Sequence, residues 1–252
     1  MTAARVRPVF EAADEAPALP AVTLATGPGT PLLCFPPMMA PSGPHYFGRF
    51  APVFAGERDV TVLPHPGFAP GELLPANREA IVRFQAEAVQ RQAGERPFVL
   101  LGYSSGGWMV NAVAALLERQ GTAPAAVVLV DTYTATNSFE ARLEAALRER
   151  GSTSEAFELL TGAQLTGQGG YVRVFDDWKP DPIEAPTLYV HATFPPGEPT
   201  ALETEDRWQP EWPYPHEDAD VPGDHFTIME DHSESTALAV RDWLGDSRGD
   251  HL

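Results

Sequence analysis

Short apolar runs recur along the chain, each bounded by proline, glycine or charge. Pro31-Leu-Leu-Cys-Phe35, Asp59-Val-Thr-Val-Leu63, Phe98-Val-Leu-Leu101, Ala125-Ala-Val-Val-Leu-Val130 and Thr187-Leu-Tyr-Val-His-Ala-Thr193 are such runs. They are too short for helices and fit strands covered on both faces. Val22 to Leu24 predicts an earlier strand, closed by a turn at Gly27-Pro-Gly29, and Ala219 to Val221 a late one. Between them the period changes. Asn77 is placed to cap a helix to Ala93, with Ile81, Phe84 and Ala88 on one face. Trp108 to Gln120 is rich in Ala, Leu and Met and stops at Gly121, and Ser233 to Leu244 predicts a last helix. His45 to Phe54 predicts a short amphipathic helix carrying Tyr46, Phe47 and Phe50, whereas residues 1–20 show no period and are expected to pack loosely.

This alternation predicts an α/β fold: one domain over residues 1–252, a mostly parallel central sheet and helices on both faces. Residues 132–185 interrupt it. Phe139 to Arg150 is charged and helical, and Ser152-Thr-Ser-Glu155 has capping-box spacing before a further helix. Gly167-Gln-Gly-Gly170 is expected to be flexible, with order resuming over Tyr171 to Trp178. The segment from about 134 to 184 therefore reads as a helical lid inserted above the sheet.

Composition narrows the classes. The 252 residues are 43% hydrophobic and carry a formal charge of −18, which argues against nucleic acid and anionic membrane surfaces as partners. Cys34 is the only cysteine, so neither an intrachain disulfide nor a thiolate metal cluster is available, in keeping with a cytoplasmic location. The N-terminal stretch lacks the apolar core of a signal peptide, and no apolar run is long enough to span a bilayer. The 26 prolines gather at 17–44, 64–75 and 180–215, where loops are expected.

Candidate chemistry gathers around Gly102-Tyr103-Ser104-Ser105-Gly106. It fits G-x-S-x-G between a predicted strand and a predicted helix, the setting of a nucleophile elbow. The turn must be sharp, so Cβ atoms at Gly102 and Gly106 would collide with backbone, and the helix N-terminus favours developing negative charge. A serine hydroxyl needs a base, and the base an acid. His225 follows the last predicted strand, with Gly223 freeing the backbone, and Ser104, Asp131, His225 run in the α/β-hydrolase order. For the acid, Asp131 stands directly at a strand tip. Glu198, Glu203 and Asp206 follow the Thr187 to Thr193 strand and compete with it; Asp224 could help only indirectly. The N–H of Ser105 is one oxyanion donor. Pro36 and Pro37 have no N–H, so Met38 is the first donor available from the loop after the Leu32 to Phe35 strand. Tyr103, Tyr133 and Tyr171 are candidate substrate contacts. His45, His65, His191, His216, His232 and His251 read as ordinary structural or surface histidines. His216-Glu-Asp with Asp220, Asp224 and His225 matches no metal-ligand spacing and reads as an acidic loop, so no metal is expected.

Longer stretches carry a resemblance. Cys34-Phe-Pro-Pro-Met-Met-Ala-Pro-Ser-Gly-Pro-His45, Val99-Leu-Leu-Gly-Tyr-Ser-Ser-Gly-Gly107, Val127-Val-Leu-Val-Asp-Thr-Tyr133 and Asp220-Val-Pro-Gly-Asp-His-Phe-Thr-Ile-Met229 span most of the chain. Together they resemble the chain-releasing thioesterases of type I polyketide synthases, in the α/β-hydrolase superfamily. The resemblance implies an α/β-hydrolase fold with a helical lid over a substrate tunnel. It implies that Ser104 takes an acyl chain from the phosphopantetheine of an acyl carrier protein, for hydrolysis or macrolactonisation, with no cofactor of its own. It matches Asp131 to the acid, His225 to the base, and Met38 and Ser105 to the oxyanion donors. The chain departs from the family at Tyr103, often His, and at Pro37, often Gly. Family members usually dimerise through a leading helical pair; here there is a short lead-in with Arg7-Pro-Val-Phe10, and the homodimer is an open expectation. The Met start and the lack of a carrier domain lean towards a discrete enzyme. Three other readings compete: a discrete type II editing thioesterase, whose acid usually follows the later strand; an esterase on free small molecules; and a non-catalytic acyl-binding module.

Overall fold

A computed structural model describes residues 8–134, 160–195 and 211–246. Its strands are β1 (Val9–Phe10), β2 (Val22–Phe35), β3 (Arg58–Val62), β4 (Leu74–Pro75), β5 (Val99–Tyr103), β6 (Ala126–Val130), β7 (Thr187–Ala192) and β8 (Glu217–Val221). Its α-helices are α1 (Arg78–Ala93), α2 (Gly106–Arg119), α3 (Gly162–Phe175) and α4 (Ser233–Asp246). Six strands form one sheet in the order β3-β2-β5-β6-β7-β8, and its pairings are parallel except that the first half of β2, Val22 to Pro28, meets β3 in a descending register. The short pair β1-β4 stands apart.

The apolar runs are buried on both faces because parallel crossovers put helices on each side. Within β2, Leu33 and Phe35 join the core beneath α1, α2 and α3, while Leu32 and Cys34 join the core beneath α4 and the 44–54 segment. The strand order turns back on itself between β2 and β5. The chain runs outward in opposite directions from these neighbours, so the loops that leave their carboxyl ends diverge and open a crevice, the usual ligand position in open α/β sheets.

Several expectations are corrected. Val22 to Leu24 and Pro31 to Phe35 fall within one assigned strand, β2, and the expected turn at Gly27-Pro-Gly29 lies inside it: the register against β3 descends from Val22 opposite Val62 to Pro28 opposite Arg58 and climbs again from Gly29 opposite Arg58 to Cys34 opposite Val62. His45 to Phe54 forms two 3₁₀ turns, Pro44–Phe47 and Ala51–Phe54, because Pro52 cannot donate within a continuous helix. Residues 8–16 are anchored: Phe10 is fully buried against Phe84, and Ala13 and Ala16 are buried too. The expected flexible run Gly167 to Gly170 lies inside α3. Thr161 caps that helix by accepting from the Gln164 amide at 3.3 Å, while the Gln164 side chain accepts from the Thr161 amide at 2.8 Å. Its glycines serve close packing, since a Cβ at Gly167 would lie 2.7 Å from the Gly67 carbonyl oxygen. The helices predicted over 139–150 and after Ser152 lie outside the described residues, as do residues 135–159 of the 134–184 insertion.

Candidate active site

Strand β5 delivers Ser104 at its carboxyl end. Ser104 adopts φ 55°, a left-handed conformation costly for a residue with a Cβ, and its N–H is held by the Val130 carbonyl at 2.9 Å. The glycines of the elbow allow it. A Cβ at Gly102 would stand 2.5 Å from the Gly107 nitrogen, and one at Gly106 would strike the Phe35 carbonyl and lie 2.7 Å from that of Pro36. Strand and helix therefore pass within backbone contact, as the sequence reading requires.

Asp131 is one residue beyond β6 and is fully buried, also at positive φ, 44°. Its two oxygens are both engaged. Oδ1 accepts from the Ala192 amide at 3.2 Å and Oδ2 lies 2.6 Å from His225 Nδ1. The other ring nitrogen, Nε2, is 2.9 Å from Ser104 Oγ. Serine, imidazole and carboxylate thus form one chain of hydrogen bonds, with Ser104, His225 and Asp131 all nearly or fully buried. The Asp131 bond makes Nδ1 the donor, which leaves the Nε2 lone pair facing the hydroxyl. Asp224, which could help only indirectly, accepts through Oδ1 from the Phe226 and Thr227 amides at 3.0 and 2.8 Å, within the turn that carries His225.

The Met38 N–H points into this site and donates to Ser105 Oγ at 2.9 Å. His65, expected to be an ordinary structural or surface histidine, holds the Met38 loop from below. His65 Nε2 lies 2.9 Å from the Pro36 carbonyl, and Gln85 donates to His65 Nδ1 at 3.2 Å. Burial lowers the His65 pKa to about 4, against a smaller opposing effect of the Pro36 contact, so the ring is a neutral strut. Cys34, the remaining soft nucleophile, is fully buried, and burial pushes its thiol far up and out of reactive range.

The three tyrosines part company. Tyr103 is buried and its hydroxyl donates to the His225 carbonyl at 2.5 Å. Burial, reinforced by Tyr46, Asp131, Glu230 and Asp224, holds its phenol well above the ordinary range, so it stays a donor and steadies the base's backbone. Tyr171 is a core residue: it stacks on Phe68 and donates to the Pro66 carbonyl at 2.9 Å, which leaves it no face for substrate. Tyr133 remains beside the site, half-buried, edge-on to His225 at 6.2 Å and to Trp108 at 5.3 Å. The rival acids Glu198, Glu203 and Asp206, and His251, lie outside the described residues. A separate cleft of about 920 Å³, lined by Arg78, Arg83, Arg119, Arg173, Lys179 and Trp178 among others, contains neither the serine nor its partners.

A family model described as the thioesterase domain matches residues 30–244. The chain belongs to the thioesterase domain family. This thioesterase is 44% identical over 253 residues to the polyketide synthase GfsE of Streptomyces halstedii and 42% identical over 247 residues to the spectinabilin polyketide synthase system protein NorC of Streptomyces orinoci. Each match covers 96% of the thioesterase but only 6% and 11% of those proteins, respectively. Among solved structures it resembles the NocB thioesterase domain in covalent complex with a fluorophosphonate nocardicin G analog, with TM-score 0.65 and 22% identity, covering 89% of this chain and 99% of that one. That likeness establishes the α/β-hydrolase fold. No helix among the described residues is long and apolar enough to cross a membrane.

Proposed function

We propose that the protein releases a polyketide acyl chain from the phosphopantetheine arm of an acyl carrier protein, through an ester on Ser104. The observation that carries this reading is the buried chain Ser104 Oγ, His225 Nε2, His225 Nδ1, Asp131 Oδ2, with separations of 2.9 and 2.6 Å. His225 takes the Ser104 proton as Oγ attacks the thioester carbonyl. The oxyanion is held by the amides of Ser105 and Met38, the latter exchanging its bond to the Ser105 hydroxyl for the developing charge. The carbon–sulfur bond breaks, and the imidazolium returns its proton to the departing thiolate. Water then attacks the acyl-serine, with His225 again the base, and frees a carboxylic acid; a hydroxyl of the chain itself would give a macrolactone by the same step.

Carrier-bound polyketide is supported as substrate by the polyketide synthases among the relatives. The release reading is favoured over the editing one because Asp131, after β6, already occupies His225 Nδ1. No cofactor has a role in these steps, and the cytoplasm, where carrier-bound chains would be made, is the proposed location. The test is mass spectrometry of Ser104 after exposure to a fluorophosphonate and to acyl-pantetheine and acyl-carrier substrates of graded length. Adducts on Ser104, absent in Ser104→Ala, with acyl-carrier substrates preferred over simple esters, are expected. Failure to label at neutral pH would favour a non-catalytic acyl-binding module, and equal turnover of simple esters a small-molecule esterase.

A further inference from the structure

Away from the elbow, the sheet's open edge gathers a second set of donor atoms. His191 lies on β7, Asp218 on the adjacent β8, and His216 one residue before β8. Tyr189 pairs with Asp218 in the parallel register, and His191 lies two residues on, so it meets Asp218 diagonally on one face. His191 Nε2 is 2.7 Å and His216 Nε2 3.2 Å from Asp218 Oδ1, and the three ligand atoms all lie within 4.8 Å of one another. These residues come from two segments about 25 residues apart, which is why no local spacing announced them.

The hydrogen bonding of His216 is the informative detail. Its Nδ1 lies 2.6 Å from the Tyr214 carbonyl, which can only accept, so the ring proton belongs on Nδ1. A neutral His216 then aims a lone pair at a carboxylate oxygen 3.2 Å away. Two acceptors face each other unless a cation lies between them or the ring carries a second proton. Carbonyl-to-Nδ1 bonding is also how metal-ligating imidazoles are commonly oriented.

We propose that His191, His216 and Asp218 bind a divalent transition ion of the zinc class at the edge of the sheet. Two imidazoles and a carboxylate suit zinc, and three protein ligands leave a fourth position for water. Zinc–ligand bonds of about 2.0–2.2 Å set tetrahedral neighbours about 3.3 Å apart, so the His191–Asp218 pair opens slightly, as the 59% exposed Asp218 side chain permits. His191 Nδ1 is buried with no partner among the described residues, so the ion lacks one of the usual outer supports and is exchangeable. The site borders the catalytic acid. The His191 ring packs on Tyr189, whose hydroxyl donates to the Thr132 carbonyl, and Ala192, next to His191, donates its amide to Asp131. A bound ion would clamp β7 to β8 at the strand that steadies Asp131. This inference does not depend on the identity of the acyl substrate.

The experiment is isothermal titration of zinc chloride into the chelator-stripped full chain, repeated with cobalt chloride and read by visible absorption. About one equivalent of ion, tetrahedral cobalt bands and a rise in Tm with zinc are expected. Asp218→Asn and His216→Ala should each weaken binding about tenfold or more and abolish the rise in Tm, with far-UV circular dichroism showing that both variants fold. Absence of binding overturns the proposal, as does binding unchanged in both variants, which would put the ion elsewhere. Nitrogen chemical shifts of a doubly protonated His216, unmoved by zinc, would assign the contact to an ordinary imidazolium–carboxylate pair and overturn it too.

Discussion

The molecule carries two histidine–aspartate contacts of nearly equal length in opposite surroundings. At the rim, His225 and Asp131 meet at 2.6 Å with side chains 4% and 1% exposed; at the edge, His191 and Asp218 meet at 2.7 Å with side chains 13% and 59% exposed. Bond length alone would rank them together. What differs is the rest of each carboxylate. Asp131 has its second oxygen tied to the Ala192 amide and its backbone locked at positive φ, so one ring nitrogen of His225 is fixed and the other is delivered to serine. Asp218 keeps contact with water and shares one oxygen between two imidazoles. The rim pair is built to hold one geometry; the edge pair is built to accept a cation. Burial and the second hydrogen bond, rather than the contact itself, separate orientation from binding.

Asp131→Asn gives the largest effect. It keeps the shape but offers an amide to Nδ1, favouring the wrong tautomer, and kcat/KM should fall by about 10⁴, or about 5 kcal/mol of transition-state stabilisation. Steady-state kinetics on an acyl-pantetheine thioester measures this. A loss below about tenfold would remove the distinction between rim and edge.

His65 extends the comparison to a buried histidine with no carboxylate at all. Its folded pKa, about 4, is depressed below the unfolded value near 6.5, so below pH 6.5 the unfolded chain binds the proton and the folded chain does not. The stability is fully present above pH 6.5 and is lost as pH falls towards 4, by about 1.4 kcal/mol per pH unit and about 3 kcal/mol in all. Denaturant melts from pH 7.5 to 4 should show this slope, reduced in His65→Gln. An equal slope in the variant would place the acid sensitivity elsewhere.

Tyr103→Phe tests whether the base needs support from its own backbone as well as from Asp131. Removing the hydroxyl leaves the buried His225 carbonyl without that donor. A cost of about 1–2 kcal/mol is expected, divided between folding and turnover. With kcat falling about tenfold and KM little changed, the tyrosine positions the base; a change in stability alone makes it a packing residue.

The contrast also marks what the sequence could disclose. Signals confined to one segment were readable: the apolar runs, the Asn77 cap and the glycines around Ser104. The chain order of Ser104, Asp131 and His225 carried the rim, because each follows a strand and a parallel sheet brings carboxyl ends together. Features that depend on contacts across the fold were not readable. Gly167 and Gly170 look like a flexible run until the 67–74 loop is seen packed against them. Tyr103 and Tyr171 look like site tyrosines until their hydroxyls are traced to the His225 and Pro66 carbonyls. The edge cluster needs strand order: His191 reads as a residue of one strand and His216-Glu-Asp as an acidic loop, and only the pairing of β7 with β8 joins them.

The smallest effect falls on the edge and completes the comparison. In chelator-stripped protein, Asp218→Asn removes an ionic contact whose carboxylate is 59% exposed. Exposed pairs are screened by solvent and contribute roughly 0–1 kcal/mol, so the fall in unfolding free energy should be under about 1 kcal/mol. The same exchange at Asp131 removes the buried carboxylate that accepts from His225 Nδ1 and should lower the unfolding free energy several-fold more. Urea melts of the two variants beside wild type, with equal m-values required for the reading, give the ratio directly. Equal losses would mean that the edge pair is as constrained as the rim pair, and that exposure of its carboxylate does not loosen it. A small loss at the edge that grows when zinc is restored to wild type but not to the variant would show that the edge contact gains its strength from the ion.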